Sequence, residues 1–512
     1  MSPRAFSMTP LALTFLSAPS IAFADLTAQD VWDDFQNYLT SFGYEISGTE
    51  TQSGDVLTVT NVLMTLPMTQ EGLEGSTDVE IPEMVFSGQS DGTVVVDIAP
   101  NTSITQVTKP EFGDELRMSM DYVQEGFEMS ASGSPDNIAY AYSAERAVAT
   151  ITELMTEGSD LMSSDNAKME FVLSGMAGTS GMQLGETRIY EQMITADELA
   201  YEVVIDDPEG DGTVNLKGMI NDLSMDGDGV LPIDGTDVAD ISAMLSDGFE
   251  VDGSFNFGGG QMAMAFTAPD GSGAVNTAST GGLVRVKMSG DGLGYTIENR
   301  NQQVTMTLPD VPFPVNFSMA QSVVDLLVPV QKSDEAQDVD LTLKLDDFAM
   351  ADQLWALFDP TATLPRDPAD LTIDLSGKAL VLFDFLDPEQ MATLEETGAM
   401  PGEFQSVTIN EVLLNVAGAK LTGSGSFDLD NSDTQTFGGI PRPTGSMDVA
   451  LEGANGLIDN LVAIGLLPQD QAMGARMMIG LFAVPGEGED TLTSKIEINQ
   501  EGHVLANGQR IQ

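Results

Sequence analysis

The chain has 512 residues, of which 80 are acidic and 19 basic, with one histidine, no cysteine and a formal net charge of -61. That balance repels nucleic-acid phosphates and anionic lipid headgroups, so no nucleic-acid partner is expected. With no cysteine and one histidine, most zinc, haem and iron–sulfur ligation and most nucleophile–base pairs are excluded.

Residues 1–24 read as a secretory signal. Arg4 is their one charged side chain, an apolar stretch follows, and Ala22-Phe23-Ala24 fits the small-x-small cleavage rule. Cleavage after Ala24 and a periplasmic location are expected. The apolar core is too short and too broken by Pro19 for a span, which needs about 20 apolar residues. No transmembrane span is expected in the mature chain, because residues 457–484 are interrupted by Asp459, Asn460, Pro468, Asp470 and Arg476.

Thr27, with Asp30 three residues on, opens a helix. Val31, Phe35, Tyr38, Leu39 and Phe42 form its apolar face, and Gly43 stops it. Nearly everything that follows is short period-2 alternation bounded by Gly, Asp, Asn and Pro, the pattern of antiparallel strands. The apolar phase slips by one residue within 57–66, 341–350 and 407–416. We read these as long strands bent at bulges near Asn61, Asp347 and Glu411; two strands joined by a turn is the other reading of the same pattern. Segment 143–151 resembles 195–203, and Leu173-Ser-Gly175-Met176 resembles Leu216-Lys-Gly218-Met219, as in a duplicated strand unit. Linkers are expected at 72–78, 270–282 and 431–445. The chain divides into 25–270, a helix plus a β-rich region with the duplication, and 271–512, a β-rich region ending in a helix pair. In that pair Asn455 caps the first helix and Pro468 opens the second, whose Met473, Met477, Met478, Leu481 and Phe482 read as core. The fold class is mainly β (α+β): long bent antiparallel sheets with repeated strand units, capped by short terminal helices.

Chemistry is sparse. Asp207, Glu209 and Asp211 occupy calcium-loop spacing, with Gly212 sixth and Asn215 ninth. Position twelve falls on Gly218, where a bidentate carboxylate is needed, and strand turns are rich in Asp and Gly for their own reasons. No nucleophile elbow is present: 423–427 and 178–182 both miss the pattern. His503, in Glu501-Gly502-His503-Val504, reads as a surface turn residue. Arg366, near Asp352, Trp355 and Asp359, reads as a structural ion pair between strands. No catalytic residue and no cofactor are expected.

Three stretches carry a family resemblance. Asp352-Gln-Leu-Trp355 through Gly377, the ending from Ile464 through Gly508, and the opening Val31-Trp32 with Gly43-Tyr44-Glu45 resemble exported bacterial proteins of domain-of-unknown-function family 2125. That resemblance implies no reaction and no site residues. The alternation from Val412 to Leu429 resembles the strands of AsmA-like envelope proteins, which implies a long curved β-sheet with an apolar groove for lipid. The expected function is therefore non-enzymatic: an envelope protein whose curved sheet shelters an apolar or lipid ligand. A ligand-free structural or interaction module and a carboxylate-based hydrolase are the alternatives.

Overall fold

The computed structural model describes residues 26–512 except 71–72, 111, 157–158, 163–166, 186, 207–211 and 233–239. The expected signal sequence and the calcium candidates Asp207, Glu209 and Asp211 lie outside the described residues.

Strands pair antiparallel throughout a single sheet, mostly with their neighbours in the chain. The order departs from simple up-and-down most extensively in two places, and in the same way. Strand Leu73–Gly88 is met end to end by the short strands Val94–Ile98 and Asn101–Pro110, and the next rank is again two pieces, Leu116–Glu125 and Glu128–Ser134. Strand Asn137–Thr156 then pairs with both pieces and restores the long rank. Thr213–Pro232 is likewise followed by Glu250–Phe257 with Gly259–Ala268, then by Gly271–Ser279 with Gly281–Ser289, before Gly292–Thr307 reunites them.

The sheet is bent along a line that crosses the strands. Asn61, Gly175, Asp222, Asn301 and Asp347 take left-handed backbone conformations, with φ between 48 and 63. Glycine, Asn and Asp tolerate that region best. In register, Gly175 stands between Glu145 and Asp197, and Asp197 stands opposite Asp222. The line continues from Asn301 past Ala320 to Asp347. Each such residue shifts the apolar phase by one, so the same face stays apolar on both sides of the bend. In strand Val56–Gln70, Leu57 and Val59 before Asn61 and Val62 and Met64 after it are all buried. Asn61 stands across from Pro82, which has no N–H to offer the ladder. The Glu411 slip also proves to be a bulge, because register shifts there against both neighbouring strands. The two copies of the duplicated segment place Glu145 and Asp197 at the same level of the bend. Their downstream glycines part company: Gly175 lies on the bend, whereas Gly218 lies under the Tyr201 ring.

Six helices stand among the described residues. α1, Ala28–Ser41, starts with the expected capping box between Thr27 and Asp30. It packs on the first strands through Val31 and Trp32, which is wholly buried and lies 5.7 Å from the Phe86 ring. α2, Ile241–Ser246, lies on one rim, where the Ser242 hydroxyl donates to Asp384 and Gln331 donates to the Ser242 carbonyl. That contact joins the loops following Val315–Val328 and Ala369–Val381. α3, Asp352–Trp355, and α4, Pro388–Thr397, sit in connections at strand ends. α5, Ala454–Ala463, and α6, Gln469–Phe482, lie near the C-terminal end of the sheet.

Several expectations need correction. Segments 73–78, 271–279 and 281–282 are strand, so those two Gly- and Ser-rich stretches are sheet rather than linker, whereas 431–441 is a connection between strands, which resume at Arg442. Small residues here are strand residues whose faces lie under larger neighbours: an added Cβ at Gly273 or Gly282 would run into the Phe266 or Phe257 ring. Asn455 is not the cap of α5. The N–H groups of Asn455 and Gly456 are both taken by the Asp490 carboxylate, which lies far along the chain. Arg366 does pair, but with Asp352 of α3 at 2.6 Å rather than across strands.

Candidate functional site

Cross-strand partners share a face, so the register shows what each face carries. On the face that bears α1, Phe255, Val284, Ile297, Val324, Leu343, Ile373 and Val412 form one unbroken row. The next row reads Val286, Tyr295, Leu326, Leu341, Leu375 and Ile409, and continues through Gly425, Met447 and Ile496. On the opposite face of the same strands, one row reads Ser254, Arg285, Thr296, Asp325, Thr342, Asp374 and Glu411. The sheet is amphipathic, and many of its acids stand on the outer side.

Nothing described covers the middle of the apolar face. The central strands Val315–Val328 and Gln337–Met350 contain no fully buried residue, although each has neighbours on both sides. Val286, Tyr295 and Val324 remain 39%, 38% and 40% exposed. At 4.8 Å per strand and about 6.6 Å, two residues, of width per row, the positions of the two rows cover roughly 500 Å². That already matches the largest apolar patch on an ordinary monomer, about 300–600 Å². Val251, Met288, Leu293 and Val328 add a third row.

The ends are closed by helices. α1 lies on this face at the N-terminal end. At the other end Met478, Ile479 and Phe482 of α6 stand over Leu421, Val449 and Leu451, enclosing an apolar hollow of about 270 Å³. The rest of α6 corrects the core reading of its methionines: Met473 and Met477 are 65% and 71% exposed, and Met478 and Leu481 55% each. No described helix is long and apolar enough to cross a membrane.

One polar island interrupts the apolar face. Tyr140, Ser180 and Gln192 are consecutive partners in one row, and Tyr142 stands beside them. Gln192 Nε2 donates to the Tyr142 hydroxyl at 2.9 Å, and the Tyr142 and Ser180 hydroxyls stand 3.5 Å apart, either able to donate to the other. Next to them the Arg188 guanidinium lies 3.5 Å from the Asp34 carboxylate of α1, both buried, and Tyr140 donates to Asp34 at 2.9 Å. Arg188 also sits over the Tyr38 ring, which stacks on Tyr190. Burial pushes the Asp34 carboxyl above its usual range, against the opposing pull of the Tyr140 hydroxyl and the Arg188 charge. Burial likewise raises the phenols of Tyr140 and Tyr190. The sequence reading missed this island; its signal was a Tyr, a Ser and a Gln at inward phase where neighbouring strands carry Val, Ile and Leu.

The remaining candidates resolve as structural or stand apart. The buried Asp359 carboxylate accepts from the N–H groups of Thr363 and Leu364, while Arg366 donates to the Asp359 carbonyl and lies over the Trp355 ring. These contacts knit the 352–366 connection. His503 is half-buried in a turn, its backbone N–H donating to Asn499 and its ring beside Glu501. Glu411 and Asp448 share a hollow of about 570 Å³ with Ser424 and Lys495, on the charged face. Among the described residues no group of three His, Cys, Asp or Glu side chains could hold a metal ion.

Fold and site together define an open amphipathic β-meander with helices at its ends. Residues 258–510 match the family model described as an uncharacterized protein conserved in bacteria (DUF2125), a match that supports membership of that family. No curated protein and no solved structure matches the chain, so the likeness of residues 412–429 to AsmA-like strands has no support from either.

Proposed function

We propose that this is a non-enzymatic protein of the bacterial envelope that shelters the apolar part of a lipid on the helix-bearing face of its sheet. One observation carries the reading: unbroken apolar rows, uncovered along the middle strands and capped at each end by a helix. Water left against such a surface costs about 25 cal/mol per Å², so an acyl chain laid along it gains what a core residue gains. The periplasmic location rests on the signal-like residues 1–24. The test is extraction of the purified, exported protein and mass spectrometry of whatever lipid comes with it. Stoichiometric acyl lipid supports the reading, whereas protein free of lipid that also fails to take up added lipid overturns it.

A second reading, a structural or interaction module without ligand, has one observation in its favour: the exposed Met473, Met477, Met478 and Leu481 on α6. A stable envelope partner, crosslinked through α6 to lipid-free protein and lost on Met477→Glu, supports that reading.

A further inference from the structure

The polar island does more than hold α1. Asp34 and Tyr38 on α1 meet Tyr140 and Arg188 here, and Trp32 adds a hydrogen bond to Glu50 outside the island. Gln192 instead directs its amide N–H to Tyr142, and Tyr142 reaches on to Ser180. Across the ladder from Gln192 the face loses its side chains: Gln192 pairs with Gly227, Gly227 with Gly253, and Gly253 with Val286. A Cβ added at Gly227 or Gly253 would meet nothing within 4 Å. The result is a bare floor about 14 Å wide, three strand spacings, with hydrogen-bonding groups on one side. The apolar rows begin on the other side, at Val286 and Tyr295.

We propose that Tyr142, Ser180 and Gln192 seat the polar head of an amphiphile over the Gly227–Gly253 floor, its chain running along the Val286 row. The head is uncharged and carries hydroxyl groups, as glycerol does. The three side chains offer neutral donors and acceptors, and the one cation nearby, Arg188, is bound to Asp34. An anionic head would meet no free counter-charge in a chain of net charge -61. This inference rests on the sheltering reading and specifies its ligand.

The test uses the full exported chain and two probes with the same acyl chain, monoolein and oleate, measured as lipid retained through gel filtration. Wild type is expected to retain monoolein about tenfold better than oleate. The double variant Tyr142→Phe, Gln192→Leu is expected to lose about tenfold in monoolein retention and to leave oleate unchanged. Gly227→Val, which fills the floor with a good strand former, is expected to do the same and guards against a folding defect in the double variant. Equal retention of both probes by wild type, or a preference that survives both variants, overturns the head seat while leaving the sheltering reading intact. Retention of neither probe by wild type overturns both.

Discussion

Asp34 on α1 and Arg188 on strand Thr187–Asp206 form a buried ion pair, 3.5 Å apart, that fastens the first helix to the apolar face. Removing Arg188 leaves the buried Asp34 carboxylate away from water without its counter-charge. Arg188→Met should therefore loosen α1 by about 3–5 kcal/mol, whereas the double change Asp34→Asn, Arg188→Met should cost much less. Hydrogen exchange of the α1 amides reads both. Equal losses in the single and double variants would show that the charge pair is not what holds the helix.

Acid should act oppositely on two parts of the chain. The Asp34 carboxyl is raised by burial, so its contribution to stability is fully present below the ordinary 3.8 and is lost as pH rises through its higher folded value. Burial would raise Asp359 too, but the N–H groups of Thr363 and Leu364, the Thr361 hydroxyl and the Arg366 charge outweigh it and hold the carboxyl low. Its contribution is present above 3.8 and is lost as pH falls through the lowered value. Going from pH 7 to 4, α1 amides should gain protection after correction for intrinsic exchange, with 359–364 unchanged; further acid should expose 359–364. Loss of α1 protection on the first step contradicts this assignment.

The bend at Asn61 depends on a backbone conformation that β-branched residues avoid. Asn61→Val should cost about 1–3 kcal/mol and Asn61→Gly well under 1 kcal/mol. Urea titration of the two variants against wild type reads the difference. Similar costs for both would point to a lost side-chain contact instead.

Charging the apolar rows should abolish lipid retention without unfolding the sheet. Leu341 is half-buried in a strand with no fully buried residue, so Leu341→Asp should cost about 1 kcal/mol or less and still cut acyl-lipid retention about tenfold or more. Circular dichroism and lipid retention on one preparation separate the two effects.

The methionines of α6 should be dispensable for folding. With Met473 and Met477 mostly exposed, Met473→Gln and Met477→Gln should each shift stability by no more than about 0.5 kcal/mol. A cooperative loss of several degrees in Tm would mean that α6 packs as core.

Local chemistry was enough for much of the fold. The Thr27–Asp30 box, the period-2 strands and the phase slips at Asn61, Asp347 and Glu411 could all be read from neighbours in the chain, because caps, pleats and bulges are made within a few residues. Two of the three linker assignments failed for the same reason turned round: Gly and Ser in 271–282 look like loop residues until the rings of Phe257 and Phe266 are seen lying over them. The cap of α5 comes from Asp490, and the anchor of α1 from Arg188. The island of Tyr142, Ser180 and Gln192 joins three strands. Composition and alternation by themselves determined an acidic, cysteine-free, amphipathic β protein. Only the tertiary structure decided that the apolar phases of successive strands fall on one face and that this face stays uncovered between its helices. Both depend on register across the ladder, which pairs residues that the chain holds far apart.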